Sequence, residues 1–355
     1  MNMKEDISKK PKVLLGMSGG VDSSTAALLL QKEGYEVIGA TMQLHDYCNN
    51  DPVEDAKEVA KKLGIEHHVF NMKEQFKKHV IDYFIEEYQA GRTPNPCVAC
   101  NKYIKFGATI DKAEELGIEY IATGHYARIE KVTDGNKVEY LLKKGKDERK
   151  DQSYMLYNLT QELLAKTIFP LGEYSKEEVR KIAEENGFTI ANKPDSQEVC
   201  FVPDNNHFRF IQENSTTPMK KGEIVNTKGE VLGYHEGSAK YTIGQRKGLR
   251  ISAKTPLFVI DIDSEKNQVV LGSNDELFSK ELIATNLNWI TFEKLEKEME
   301  VEAKIRYKAK ESKARIYPID DKVKVVFEKP QRAITKGQSV AFYKDDIVLG
   351  GGIIS

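Results

Sequence analysis

The chain is predicted to be an α/β protein: an N-terminal parallel-sheet domain, then a small β-rich central domain and a C-terminal β-barrel-like domain. Three observations carry that expectation. Short apolar runs alternate with helical stretches to about residue 190. A glycine- and serine-rich turn joins the first run to the first helix. After Pro203 the long helices give way to glycines and short strand-like segments. At 355 residues the chain has room for two or three domains of roughly 150 residues, and the changes in texture place them at 1–205, 206–275 and 276–355.

The first apolar run, 13–17, reads as a strand, followed by a helix to Glu33, a strand over 36–42, a helix over 53–63 and a strand over 66–70. Helices over 72–88 and near 102–116 lead to a strand at 119–123 that ends on Gly124 and His125. Ligands gather at the carboxyl ends of strands in such sheets, so residues 18–24, Met42 and Gly124–His125 are expected to converge. Ser175 with Glu178 forms a capping box for a helix through Asn186, closed by Gly187. The central domain shows strand-like segments at 223–225, 241–244 and 258–260. The last domain shows them at 283–290, 299–307, 312–316, 322–327 and 339–343, spaced as in a compact barrel or sandwich. The mixed charges of 143–151 read as a solvated loop.

Hydrophobic residues make up 40% of the chain and the net charge is −2. No run approaches the roughly 18 apolar residues of a membrane span. The first twelve residues are polar and lack the apolar core of a secretory signal, so a cytoplasmic protein with no membrane partner is expected. Four cysteines are too few for a disulfide scaffold at this length, so any disulfide is expected to be transient. A nucleic-acid partner would have to be met by local basic patches. One candidate is Lys304, Arg306, Lys308 and Lys310, which alternate with apolar residues and would share one face of a strand, continued by Lys313 and Arg315.

Ser18-Gly19-Gly20-Val21-Asp22-Ser23-Ser24 sits between the first strand and helix. Two glycines let the backbone turn tightly around an anion, while serine hydroxyls and the amides of the helix start supply donors in a favourable dipole. A Walker loop would place a lysine after its glycines, and none follows here. The pattern instead resembles the pyrophosphate loop of ATP pyrophosphatases, which join AMP to a substrate oxygen.

Cys97 and Cys100 form a CxxC pair after Pro94-Asn95-Pro96, and a helix is expected to begin at Asn101, so that a thiolate at Cys100 is favoured by the helix start. A structural zinc site lacks a second pair at usable spacing. Cys48 reads as a small buried hydrophobe, and Cys200 ends a polar loop just before Phe201. His67 and His68 read as structural, whereas His125 borders the nucleotide pocket.

With that loop, two separated motif cysteines and a later basic β domain, the chain resembles the tRNA-specific 2-thiouridylases, which place sulfur on wobble uridine. The resemblance covers nearly the whole chain. It is carried by residues 16–24, Thr93-Pro94-Asn95-Pro96, Cys100-Asn101 with Ile104-Lys105-Phe106, Thr123-Gly124-His125-Tyr126 and Lys150-Asp151-Gln152-Ser153-Tyr154. Ser196-Gln197-Glu198 with Cys200-Phe201, and the run Tyr241 to Leu249, complete it. It implies ATP contacts at Gly16, Met17, Ser18, Gly19, Gly20, Val21, Asp22, Ser23, Met42 and Gly124, and contacts to the target base at Asn95, Pro96 and Cys97. It further implies tRNA contacts at His125, Asp151, Gln152, Ser153, Arg306, Tyr307 and Gln338.

The chemistry implied by the resemblance is adenylation of the uracil C2 oxygen, followed by attack of sulfur and loss of AMP. Cys200 would carry the sulfur as a persulfide loaded by a cysteine desulfurase or relay protein. Cys100 would be the nucleophile that ends in a transient disulfide with Cys200. Mg²⁺ is expected with the departing pyrophosphate, with Asp22 a suspected ligand. Many family members carry aspartate where this chain has Cys97. Cys97, Cys100 and Cys200 could alternatively hold a 4Fe–4S cluster that delivers sulfide. Thiolation of another RNA is a further alternative.

Overall fold

A computed structural model describes residues 10–46, 52–188 and 199–355. Cys48 and the motif residues Ser196, Gln197 and Glu198 lie outside them. The chain divides into two compact units, one of residues 1–76 with 100–197 and the other of residues 77–99 with 198–355.

The first unit is built on strands β1 (Lys12–Gly16), β2 (Glu36–Gln43), β3 (Glu66–Asn71) and β4 (Tyr120–Ala122), then a hairpin of β5 (Ala127–Asp134) and β6 (Lys137–Lys144), and last β7 (Thr167–Ile168). Five of them form a parallel sheet in the order β3-β2-β1-β4-β7. Val13, Leu14 and Leu15 of the central strand are fully buried, because helices cover both faces of such a sheet. Helix Val21–Lys32 and helix Lys176–Glu185 share one core through Ala26, Ala27 and Leu30 on the first and Val179 and Ala183 on the second. The expected capping box is present, with the Ser175 side chain accepting from the Glu178 N–H and the Glu178 carboxylate accepting from Ser175.

The second unit contains a four-stranded sheet of β8 (Gly222–Asn226), β9 (Val231–His235), β10 (Phe258–Asp263) and β11 (Gln268–Gly272) in the order β10-β11-β8-β9, with β8 and β11 parallel. The remaining strands are β12 (Phe278–Trp289), β13 (Met299–Lys304), β14 (Ser312–Ile319), β15 (Lys322–Arg332), β16 (Ser339–Lys344) and β17 (Ile347–Ile354). They close as an antiparallel barrel, β12-β15-β14-β13-β16-β17 and back to β12. Its interior is filled by Ile316, Val323, Val325, Val340 and Phe342, with Trp289 stacked on Phe342 at 5.5 Å.

Two sequence expectations are corrected here. The strand predicted over 299–307 stops at Lys304, so Lys304, Arg306, Lys308 and Lys310 do not share a strand face. Lys304 is buried and paired with Glu311 at 3.3 Å, and Arg315 is held by Glu298 and Glu300. The stretch 143–151 is not a solvated loop either, since Asp147 and Asp151 are buried acceptors that fix the turn.

Five of the seven histidines, His45, His67, His125, His207 and His235, have pKa values below the usual imidazole value, in each case first because burial disfavours the charged ring. Their sign is common: as pH falls through about 6.5 the unfolded chain takes up protons that the fold refuses, so stability is lost toward acid. The urea midpoint is expected to fall between pH 7 and pH 5, ahead of carboxylate titration. A midpoint level across that window would contradict the assignment.

Candidate active site

The loop after β1 is shaped by its own side chains. The Ser18 N–H donates to Ser23 Oγ (3.2 Å), and the Ser23 and Ser24 hydroxyls both donate to the Gly20 carbonyl (3.2 and 2.9 Å). Gly19 has φ +67°, and a Cβ there would overlap Cβ of Asp55. Gly20 caps helix Val21–Lys32 with extended backbone and offers no side chain to the N–H groups of the first turn. A bound anion fits that arrangement.

The strand ends converge as expected. Met42 Cε would be 3.6 Å from a Cβ on Gly16, and a Cβ on Gly124 would be 3.2 Å from Asp22 and Ser23. The Thr41 hydroxyl, at the end of β2, donates to the Met17 carbonyl (2.9 Å) and fixes the exit of β1. The Asp22 carboxylate points at partners the sequence did not reveal: Tyr126 OH donates to Oδ1 (2.7 Å) and Lys176 Nζ donates to both oxygens (2.8 Å each). Lys176 is buried, and the serine–glutamate box locates its helix, but no pattern links a residue to one 154 positions away.

His125 is buried, with Nδ1 2.7 Å from the Thr123 hydroxyl and its ring packed by Phe106 and Phe169. Burial, and then nearby Lys105, hold its pKa well below the usual range, so the ring is neutral at pH 7. Asp151 accepts the N–H groups of Gly145 and Ser153 and the Ser153 hydroxyl, while Gln152 exchanges hydrogen bonds with the backbone of Tyr126. These residues therefore tie the hairpin end to the edge of the nucleotide pocket.

The helix carrying the CxxC pair begins at Pro96, not Asn101. Asn95 Oδ1 accepts the Val98 N–H at 3.3 Å, and proline in the first turn forgoes no hydrogen bond. Cys100 already has helical backbone (φ −60°, ψ −43°) and leads into a π-helix, Asn101–Ala108. The dipole argument made for Cys100 therefore applies to Cys97, which is exposed, whereas Cys100 is buried. Asn101 donates to the Met155 carbonyl (3.1 Å), but its buried Oδ1 has no hydrogen-bond partner among the described residues.

In the second unit, the Gln338 amide donates to the carbonyls of Thr93 and Pro94 (3.0 and 3.2 Å), and the Thr93 N–H donates to Lys336, which pins the segment before Cys97. Cys200 lies exposed on a turn closed by the Val202 N–H and the Val199 carbonyl. Phe201 beside it is buried against Phe84 and Phe210, each at 5.2 Å, so the turn is anchored next to its thiol. Arg306 is exposed and Tyr307 half-buried on the turn after β13.

Among the described residues no three of His, Cys, Asp or Glu are placed to hold a metal ion. The Asp22 carboxylate is engaged by Lys176 and Tyr126, which does not fit a resident Mg²⁺ held by the protein.

A parallel sheet with a pyrophosphate-type loop at its carboxyl edge, followed by a small β domain and a closed barrel, defines a nucleotide-binding α/β class. Family models agree: residues 11–204 match the tRNA methyl transferase HUP domain, 209–273 its PRC-barrel domain, and 279–354 the aminomethyltransferase beta-barrel domain. The chain is 54% identical over 97% of its length to the tRNA-specific 2-thiouridylase MnmA of Acetivibrio thermocellus, covering 99% of that protein. It is also 54% identical over 97% of its length to tRNA-specific 2-thiouridylase MnmA 2 of Clostridium tetani, covering 99% of that protein. The chain belongs to the tRNA-specific 2-thiouridylase family.

Proposed function

We propose that this protein is a tRNA-uridine 2-sulfurtransferase that uses ATP to replace the C2 oxygen of the wobble uridine, position 34, with sulfur. The observation that carries the reading is the loop Ser18–Ser24, a helix start without a side-chain cap, in a chain 54% identical to a 2-thiouridylase. Methyl transfer has no use for a pyrophosphate loop.

The uracil carbonyl oxygen is a poor leaving group. Its attack on the α-phosphate of ATP forms an adenylate and expels pyrophosphate, and AMP then leaves with that oxygen. The terminal sulfur of a Cys200 persulfide attacks C2. Cys100 thiolate then attacks the Cys200 sulfur, and the S–S electron pair moves to the transferred sulfur as the thiocarbonyl forms and AMP departs. The resulting Cys100–Cys200 disulfide is reduced by an external dithiol, and a cysteine desulfurase or relay protein reloads Cys200. Mg²⁺ enters as the counter-ion of the ATP phosphates.

Gly16 to Ser23, Met42 and Gly124 hold ATP, and Asn95, Pro96 and Cys97 face the target base. Arg306, Tyr307, Gln152 and Gln338 meet tRNA, while the buried His125, Asp151 and Ser153 position the loops around it. Domains of 1–205, 206–275 and 276–355 divide this work. Among the described residues no helix is long and apolar enough to cross a membrane, and a cytoplasmic site of action fits a tRNA substrate. Nucleoside mass analysis of tRNA from cells lacking this protein should show loss of wobble 2-thiouridine, and its retention would contradict the reading.

Since Lys304 is used internally, the RNA phosphates need other cations. Residues 245–257 carry Arg246, Lys247, Arg250 and Lys254 and no acid. All four are exposed, without an ion pair among the described residues, and Arg246, Arg250 and Lys254 line a cavity of about 390 Å³. Alanine at Arg246, Arg250 or Arg306 should each reduce the salt slope of tRNA binding by about one. Lys304→Ala should leave the slope unchanged and lower the melting temperature.

A further inference from the structure

The loop of this chain lacks the lysine that a Walker loop supplies, yet a lysine from elsewhere in the chain reaches the start of its helix. Lys176 Nζ lies 2.8 Å from both carboxylate oxygens of Asp22, the second residue of the helix that opens at the loop. The Lys176 side chain is 6% exposed and that of Asp22 32% exposed, so the ammonium lies behind the carboxylate, which keeps an open side. Lys176 is fixed from several directions. It is the first residue of helix Lys176–Glu185, its N–H donates to the buried Asp147 (3.2 Å), its ammonium lies 5.9 Å from the centre of the Tyr126 ring, and the Tyr126 hydroxyl holds the same Asp22 oxygen.

A carboxylate at a helix start favours the fold but opposes a second anion at the same amides. Left unneutralised, Asp22 would repel the phosphates the loop must accept. We propose that Lys176 is the positioning cation of the phosphate site: it neutralises Asp22 and holds it aside, so that the helix amides bind the β- and γ-phosphates of ATP and the pyrophosphate that leaves. The inference rests on ATP occupying the loop. It assigns to a residue 154 positions downstream the electrostatic task that Walker proteins give to the loop itself. The energetic sense is that of charge compensation in a partly dry site, where one uncompensated charge weighs far more than in water.

The test compares ligands with and without the β- and γ-phosphates. Affinities for α,β-methylene-ATP, pyrophosphate and AMP are measured by calorimetry with Mg²⁺ present for wild type, Lys176→Met, Lys176→Arg and the double variant Asp22→Asn with Lys176→Met. Lys176→Met should weaken α,β-methylene-ATP and pyrophosphate by about tenfold or more, with AMP changed about twofold or less. Lys176→Arg should recover most of that loss, and the double variant should bind the analogue more tightly than Lys176→Met alone. Equal weakening of all three ligands, or no rescue by either second variant, would overturn the proposal in favour of a purely structural lysine. Should Lys176→Met fail to fold, Lys176→Arg, which keeps the balanced pair, and Asp22→Asn with Lys176→Met, which removes both charges, are both expected to bind the analogue, and loss of binding in the double variant alone would overturn the proposal. Wild-type protein that binds no analogue would instead refute the ATP reading itself.

Discussion

Cys200→Ser is expected to keep tRNA-dependent release of pyrophosphate from ATP while lowering 2-thiouridine formation by several orders of magnitude. The two halves of the reaction use different groups. Adenylation needs the loop Ser18–Ser24 and the uracil oxygen, and neither depends on a thiol. Sulfur delivery needs a sulfur that can carry a persulfide, which a hydroxyl cannot. The substitution changes one atom on an exposed turn whose anchor, Phe201, stays buried, so the fold should be unaffected. Added sulfide should partly restore thiolation, because it supplies the nucleophile that the persulfide would have delivered. Undiminished thiolation without sulfide would remove Cys200 from the mechanism, and loss of pyrophosphate release would show that the two half-reactions are not separable.

Gly19→Ala should weaken ATP-analogue binding by roughly 10- to 100-fold. A left-handed backbone costs a residue with a Cβ about 1–3 kcal/mol, and every 1.4 kcal/mol is about tenfold in affinity. Overlap with Asp55, on the helix Pro52–Leu63, adds to that. The loop can relieve both only by moving, and movement misdirects the amides that receive the phosphates. Calorimetric titration with α,β-methylene-ATP checks this, and an affinity within twofold of wild type would mean that the loop conformation does not set binding.

The nucleotide-binding half was legible because its signals are local. Apolar runs bounded by glycine give β1 to β4, and a glycine–serine turn between strand and helix marks the loop. The hairpin β5–β6 was overlooked although Asp134-Gly135, with Gly135 at φ +58°, carries the usual turn signature. Strand β17 was not predicted, because Gly350-Gly351-Gly352 lacks the side chains that mark a strand. In the barrel a Cβ on Gly350 would overlap the Asn288 carbonyl of β12, so the glycine marks the closure of the barrel. The helix expected from Asn101 opens five residues earlier, at Pro96, because Asn95 caps it and a proline is tolerated in a first turn.

What could not be read concerns partners far apart in sequence. Alternation placed Lys304 and its neighbours on one strand face, but an internal pairing with the half-buried Glu311 and a face of phosphate contacts leave the same pattern. Nothing in the residues around Ser175 indicates that the lysine following it reaches Asp22. The buried roles of Asp147 and Asp151 were obscured by the cations around them, since a mixed-charge stretch looks solvated until its carboxylates are seen accepting backbone N–H groups.

The central claim is that the loop adenylates the C2 oxygen of a uracil in tRNA. It is tested most directly by following that oxygen. Substrate tRNA carrying ¹⁸O at C2 of the wobble uridine is turned over with ATP and a sulfur source, and the AMP is analysed by mass spectrometry. One ¹⁸O should appear in the AMP phosphate for each 2-thiouridine formed. Unlabelled AMP alongside full thiolation would contradict the claim.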